Sequence, residues 1–280
     1  MELDLALVRE AVARFVAEDV GRGDITTHAV VDGDAHGRAR IEARSDFVLA
    51  GLPVAGLCFD ALGRDRIRWR PEAADGDGVS AGRALARLEG SLQVILTVER
   101  TALNLLARLS GVATLTRAFV DAIRGTPARI VDTRKTTPGL RSLEKYAVRV
   151  GGGHNHRFGL DDGILIKDNH LRAAGGVPEA VLRARNEAPH GLVVEVEVTD
   201  LDELEEALAA GADAILLDNM SPEMVRDAVR RAGGKALLEA SGGMTVANVR
   251  AYAEAGVDLI SVGALTHSAR SVDVSLEVED

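Results

Sequence analysis

The residues VVEVEVTDLDELEEALAAGADAILLDNMSPEMVRDAVRRAGGKALLEASGG, at positions 193–243, decide the fold. Three short apolar runs, at 193–198, 214–219 and 236–241, alternate with two segments that have helical spacing. Before the second helix, Ser221 predicts an N-cap and Pro222 predicts the first helical position. Strands that alternate with helices and are apolar on both faces indicate a parallel sheet.

The same pattern extends from this stretch in both directions. Further apolar runs of this kind are ARIVD at 128–132, GILIK at 163–167 and LISVG at 259–263. Six strands connected by helices predict either a β/α barrel, complete or incomplete, or an open doubly wound sheet.

The first hundred residues have a different pattern. The runs RARIEARSDFVLAGL, at 38–52, and 83–97 alternate like antiparallel strands. Between them, DGDGVSAGRALARLEG, at 75–90, resembles the turns and strands of biotinyl or lipoyl carrier domains, which need a lysine at a hairpin tip. Residues 1–134 contain no lysine, so we expect a structural sandwich here, followed by a helix over about 98–125.

Composition and charge exclude several classes of protein. A formal net charge of −10 argues against a nucleic-acid partner and against binding to an anionic membrane. The single cysteine, Cys58, excludes an internal disulfide and a cysteine-based zinc site. The acidic, amphipathic N-terminus is not typical of a signal peptide, and no run approaches the length of a membrane span. These features predict a cytoplasmic protein.

Polar side chains stand where the predicted strands end, the place at which parallel barrels carry their chemistry. Three groups of residues can be distinguished there. The cations suit carboxylates or phosphates, the carboxylates suit ribose hydroxyls or Mg²⁺, and the glycine-rich loops suit a phosphate. In that order the groups are Arg134, Lys135, His156, Arg157 and Lys167; Glu197 and Asp218; and Ser241–Gly243 with Gly263 to His267. Together they predict a pocket for a polyanion that carries a sugar phosphate.

The triplet His154-Asn155-His156 allows another interpretation, because H-x-H spacing occurs in metal hydrolases built on barrels. Such sites need further histidines at later strand ends, where this chain has carboxylates and serine instead. The other possibility is that these histidines are satisfied within a glycine-rich loop, which fits His154 better than His156. The other histidines His28, His36 and His190 are expected at the surface.

Eight segments resemble the quinolinate phosphoribosyltransferase family. They are EDVGRGDITT (18–27), VERTALNLLARLSGVATLT (98–116), DTRKTTPGLRSLEKYAVRVGGGHNHRFGL (132–160), ILIKDNH (164–170), EVEV (195–198), LLDNMSPE (216–223), LEASGG (238–243) and ISVGALTHS (260–268). The resemblance implies an α/β fold in which an N-terminal α/β sandwich (1–105) precedes an incomplete, seven-stranded β/α barrel (106–267). Residues 268–280 would return to the first domain.

The resemblance also implies a reaction. Quinolinate and 5-phosphoribosyl 1-diphosphate would react with Mg²⁺ to give nicotinate mononucleotide, diphosphate and CO₂ for NAD biosynthesis. The alternative is a divergent paralogue that binds a small molecule in molybdenum uptake. Family enzymes are homodimers or assemblies of dimers, in which an arginine completes the site of the neighbouring subunit, and the motif match makes that residue Arg100.

The remaining roles implied by the resemblance fall on the strand ends. Quinolinate would be held by Arg134, His156, Arg157, Lys167 and the partner's Arg100. Lys135 would contact the diphosphate, while Glu197 and Asp218 would serve the ribose hydroxyls and the metal ion; these three are the expected catalytic residues. Around the 5-phosphate we expect Ser241, Gly242, Gly263 and His267.

Overall fold

The computed structural model describes residues 3–63 and 65–279, so Met1, Glu2 and Asp280, at the ends of the predicted domains, lie outside the described residues. The described strands are β1 (His36–Ala43), β2 (Phe47–Val48), β3 (Ile67–Pro71), β4 (Gly78–Val79), β5 (Ala84–Ser91), β6 (Arg129–Val131), β7 (Ile164–Ile166), β8 (Val194–Val198), β9 (Ala214–Asp218), β10 (Leu237–Ser241), β11 (Leu259–Ser261) and β12 (Val274–Glu279). The described helices are α1 (Leu5–Val20), α2 (Ile25–Val30), α3 (Leu52–Gly63), α4 (Leu92–Ala122), α5 (Arg141–Val150), α6 (Asp168–Ala174), α7 (Val177–Glu187), α8 (Leu201–Ala209), α9 (Pro222–Ala232), α10 (Val249–Ala255) and α11 (Ala264–His267).

The chain divides into two compact units. The first comprises Met1–Arg117, Thr137–Gly152 and Ser268–Asp280, and the second comprises Ala118–Thr136 and Gly153–His267. Residues 137–152 therefore belong to the first unit, and the predicted domain limits stay a prediction. Among the residues that the structure describes, none of the helices is both long and apolar enough to cross a bilayer.

The first unit is built on a four-stranded antiparallel sheet in the order β12-β1-β5-β3. Side chains of β1 alternate, so that Ala39 and Ile41 are fully buried while Arg38 is exposed. Helix α3 packs on the buried face, where the rings of Phe59 and Trp69 stack at 5.6 Å between centroids. One face of the sheet is therefore the core of this unit, and the other carries charged side chains.

The predicted strand over 83–97 is wrong in its second half. Strand β5 ends at Ser91, and α4 begins at the next residue, Leu92. The apolar residues Val94, Val98 and Ala102 recur every fourth position and are all buried, which is helical spacing. Within 92–97 alone that spacing cannot be told from strand alternation, because too few residues are sampled.

The second unit is built on a parallel sheet in the order β6-β11-β10-β9-β8-β7. These are the six strands that the apolar runs predict. The first strand of this unit, β6, pairs with its last strand, β11, as the first and last strands of a barrel do. At its other edge β6 meets His154 through a single parallel bridge to Val131, which occupies the place of a seventh strand. Within residues 3–63 and 65–279 no ladder joins this position to β7, so the barrel is incomplete.

Alternation along the barrel strands decides which side chains reach its interior. In β8, Val194, Val196 and Val198 are buried, while Glu195 and Glu197 take the opposite face. The predicted cap of α9 is confirmed, since the Ser221 side chain accepts the backbone N–H of Met224 at 3.3 Å and Pro222 opens the helix. The strands and caps together fix the strand ends where the polar residues stand.

Candidate active site

A cavity of about 610 Å³ opens at the carboxyl ends of the barrel strands. This volume lies within the range of pockets that bind small molecules. Nine of the predicted residues line the cavity: Arg134, Lys135, His156, Arg157, Lys167, Glu197, Asp218, Ser241 and Gly242. Three further polar residues in the lining were not named by the sequence analysis, namely Asn219, Glu239 and Ser261.

Three of the predicted residues are not among those that line the cavity. Gly263 and His267 lie beside Lys135, since a Cβ added to Gly263 would be 3.0 Å from Lys135 Cδ and 3.2 Å from His267 Nε2. Arg100 belongs to the first unit, in α4, where its side chain is 64% exposed and lies 3.5 Å from the Glu99 carboxylate. Its predicted role across a subunit interface stays a prediction.

Asp132 brings the two cation-bearing segments together. Its buried carboxylate accepts the side-chain amide of Asn155 at 2.6 Å and the backbone N–H of His156 at 2.9 Å. The backbone of His154 pairs with β6 and the residue after it. His154 O accepts the backbone N–H of Asp132 at 3.1 Å, and His154 N donates to Ile130 O at 2.9 Å. These hydrogen bonds hold the segments Asp132–Lys135 and His154–Arg157 side by side at the end of β6.

Two glutamates lie beneath the cations. Glu195 and Glu239 are 6% and 1% exposed, and His156 Nε2 lies 3.0 Å from Glu195 Oε2 and 3.4 Å from Glu239 Oε2. Burial raises the pKa of the Glu195 carboxyl, and its close contact with His156 opposes that shift.

The backbone decides which tautomer the His156 ring adopts. Nδ1 accepts the backbone N–H of Arg157 at 2.8 Å, so this nitrogen carries no proton, and the ring proton lies on Nε2 and points at Glu195. The three groups are close enough together to hold a metal ion, but Nε2 has no lone pair to offer one. The metal-hydrolase interpretation of the H-x-H triplet therefore loses His156 as a ligand.

The Arg157 guanidinium lies in the cavity wall with Arg134 as a neighbour. Burial and the neighbouring Arg134 lower the pKa of Arg157, while Glu195 and Asp162 oppose that shift. The Arg157 guanidinium donates from Nη1 to Gly163 O at 3.0 Å, which directs the side chain along the wall. Two guanidinium groups this close favour an anion between them.

The carboxylates at the ends of β8 and β9 have partners of their own. Glu197 forms a close ion pair with Lys167, and Asp218 accepts the side-chain amide of Asn219 at 2.7 Å. Carboxylate oxygens beside an open cavity suit Mg²⁺, which binds through one or two carboxylates together with substrate phosphates. Glu197 and Asp218 therefore have the chemistry that a magnesium site requires.

The loop after β10 approaches Asn219 closely. Asn219 has φ of +54°, the single positive φ among non-glycine residues in the described part of the chain. Its N–H donates to Ser241 O at 2.9 Å, and a Cβ on Gly242 would lie 2.1 Å from its Oδ1. Only glycine fits at position 242, whose own φ is +97°. This contact links the glycine-rich loop to Asp218.

Comparison with known proteins connects this geometry to a family. Residues 24–110 match the N-terminal domain of quinolinate phosphoribosyl transferase, and residues 112–277 match its C-terminal domain. A protein of Mycobacterium leprae named nicotinate-nucleotide pyrophosphorylase [carboxylating] is 46% identical over 99% of this chain and 98% of its own length. A probable enzyme of the same name from Bacillus subtilis is 44% identical over 97% of this chain and 93% of its own.

A solved structure agrees with these relatives. The nicotinate-nucleotide pyrophosphorylase from Francisella tularensis superimposes with a TM-score of 0.94 at 42% identity, covering 99% of this chain and 98% of that one. Nothing in these comparisons supports a binding protein of molybdenum uptake. Because both domain matches run in order and together span almost the whole sequence, the chain belongs to the quinolinate phosphoribosyltransferase family.

Proposed function

We propose that the cavity holds quinolinate and 5-phosphoribosyl 1-diphosphate together and that different strand-end residues bind each of the two substrates. The chain is a carboxylating nicotinate-nucleotide diphosphorylase, a pentosyltransferase that makes nicotinate mononucleotide from these substrates and releases diphosphate and CO₂. One observation carries the assignment of the site, namely that a single cavity gathers Arg134, Lys135, Arg157 and Lys167 beside Glu197 and Asp218.

Quinolinate binds at the arginines in this proposal. Its two carboxylates are planar and suit the forked donors of Arg134 and Arg157, and Lys167 adds a compact charge. Both nitrogens of the His156 ring have partners in the protein, so the ring shapes the cavity wall beside quinolinate and does not donate a hydrogen bond to it. Arg100 from the neighbouring subunit of a homodimer completes this end of the pocket.

The carboxylates act on the ribosyl group. As diphosphate leaves C1 of the ribose, positive charge develops there, and Glu197 and Asp218 stabilise it while their oxygens hold the ribose hydroxyls. Lys135 contacts the departing diphosphate. The same two carboxylates would hold Mg²⁺, which supplies charge neutralisation to the diphosphate when it is bound.

Loss of CO₂ needs no protein base. The quinolinate ring nitrogen forms a bond to C1 of the ribose as the bond to diphosphate breaks. The 2-carboxylate then departs as CO₂, its bonding electron pair remains on C2 beside the positive pyridinium nitrogen, and a proton from solvent water adds at C2. The 5-phosphate is held by the glycine-rich loops at Ser241, Gly242, Gly263 and His267.

Two further proposals concern the setting of the enzyme. The subunits form homodimers, which can assemble further. The protein acts in the cytoplasm, which is supported by its acidic charge and by a single, buried cysteine.

The assay that tests the function uses quinolinate, Mg²⁺ and 5-phosphoribosyl 1-diphosphate. We expect nicotinate mononucleotide, diphosphate and CO₂ in equal amounts, and little product with chelator. Nicotinate in place of quinolinate should be a very poor substrate, because it leaves part of the cation cluster without a carboxylate, and each such contact is worth about 1.5–3 kcal/mol. Comparable turnover of nicotinate and quinolinate would refute the assignment.

A further inference from the structure

Two buried glutamates lie beneath the cations, and the proposed reaction does not use them. Glu195 in β8 and Glu239 in β10 stand one inward position below Glu197 and Ser241. Branched apolar residues dominate such layers in parallel barrels. A buried carboxylate costs free energy unless it is paired, so two of them in one layer need a reason.

The contacts of Glu195 indicate what that reason is. Its Oε2 accepts the Nε2–H of His156 at 3.0 Å, and on the opposite side of the ring Nδ1 accepts the backbone N–H of Arg157 at 2.8 Å. The imidazole therefore connects the buried Glu195 carboxylate to the backbone N–H of Arg157. Glu239 Oε2 lies 3.4 Å from Nε2 and adds a second carboxylate beside this nitrogen.

We propose that Glu195, assisted by Glu239, is a positioning residue for the quinolinate end of the cavity. By holding the His156 ring it fixes the backbone from which the Arg157 side chain enters the pocket. Arg157 Nη1 is then placed to donate to Gly163 O, as observed, and Arg157 lines the cavity. The inference rests on the proposed function for the identity of the substrate, whereas the orientation of the ring does not depend on it.

Two substitutions separate the reach of the Glu195 side chain from its charge. Glu195→Gln keeps an acceptor oxygen at the same distance and removes the charge, while Glu195→Asp keeps the charge and withdraws the oxygen by one methylene. A positioning role predicts that Asp raises the KM for quinolinate about tenfold and that Gln changes it less than about threefold. The KM for 5-phosphoribosyl 1-diphosphate should stay within about twofold in both variants.

A buried glutamate of the first unit provides the control. Glu42 lies in β1, is 8% exposed and pairs with Arg40 and Arg44, so Glu42→Gln makes the same chemical change on a strand outside the cavity. We expect it to leave both KM values unchanged. If Gln damages quinolinate binding and Asp does not, Glu195 acts through its charge, and the positioning role is overturned. Equal effects of the two variants, or no effect of either, overturn it as well.

A second measurement does not require turnover. Nitrogen-15 NMR of the free protein should show His156 with a proton on Nε2 and none on Nδ1, and Glu195→Asp should perturb that signal more than Glu195→Gln. A wild-type ring protonated on Nδ1 contradicts the inference even if the enzyme is active. Conversely, the expected NMR pattern in a protein that makes no nicotinate mononucleotide would leave the ring contact standing and remove the proposed function.

Discussion

Gly242→Ala should disable the enzyme while leaving its fold in place. The new Cβ would lie 2.1 Å from Asn219 Oδ1 and 3.0 Å from Asn219 N, so the Asn219 side chain must rotate and release the hydrogen bond that it donates to Asp218 at 2.7 Å. The positive φ of +97° adds a backbone cost of at least about 1–2 kcal/mol for any residue with a Cβ. Since displacement of a reacting group by about 1 Å can cost a hundredfold in rate, we expect kcat/KM to fall about a hundredfold.

The neighbouring glycine is the matched control. Gly243 also has a positive φ, of +59°, but a Cβ there meets no atom within 4 Å. Gly243→Ala should therefore cost a similar amount of backbone strain, about 1–2 kcal/mol, and reduce kcat/KM less than about fivefold. Steady-state kinetics with varied 5-phosphoribosyl 1-diphosphate and thermal unfolding of both variants provide the comparison. Equal losses of activity in the two variants would show that the contact with Asn219 is irrelevant.

Further expectations concern the cations, the dimer and the cysteine. Arg134→Lys should lose nearly as much kcat/KM as Arg134→Ala, about 1.5–3 kcal/mol, because one ammonium cannot form a forked contact with a carboxylate; near-normal kinetics of the lysine variant would contradict this. Arg100→Ala and Lys135→Ala, each nearly inactive alone, should recover about a quarter of wild-type activity when co-refolded, since half the dimers are mixed and each has one intact site. No recovery in dimers confirmed as mixed by mass would place Arg100 in its own chain's site or in none. Burial raises the pKa of the Cys58 thiol to about 12, so alkylating reagents at neutral pH should modify it only after unfolding, as mass spectrometry can test.

The strand ends could be predicted from the sequence, because each apolar run of the barrel stops at a polar residue. The periodicity of a parallel strand fixes which neighbours share its inner face, and this is why Lys167, Glu197 and Asp218 meet in one cavity. Assigning a substrate to the cavity needed the resemblance, since the same cations and carboxylates would serve many phosphorylated ligands.

The buried layer of the barrel could not be predicted. In VEVEV the two glutamates look alike, and alternation places both on the inner face without indicating that Glu195 lies deep and Glu197 near the rim. The partner of Glu195 is His156, thirty-nine positions earlier in the chain, and no local pattern connects them. Asn219 was likewise missed, although asparagine after a strand is among the few residues that tolerate a left-handed backbone.

The pairing of β12 with β1 affects the order in which the two units fold during synthesis. Arg44, just after β1, makes an ion pair with Glu277, 233 positions later. The first unit therefore closes its sheet only when the last strand has been synthesised, and until then β1 keeps one edge open. Contacts of such long sequence separation form slowly. The residues of the barrel lie between β1 and β12 in the sequence, so all of them are synthesised before β12. The first unit is therefore the last to finish folding.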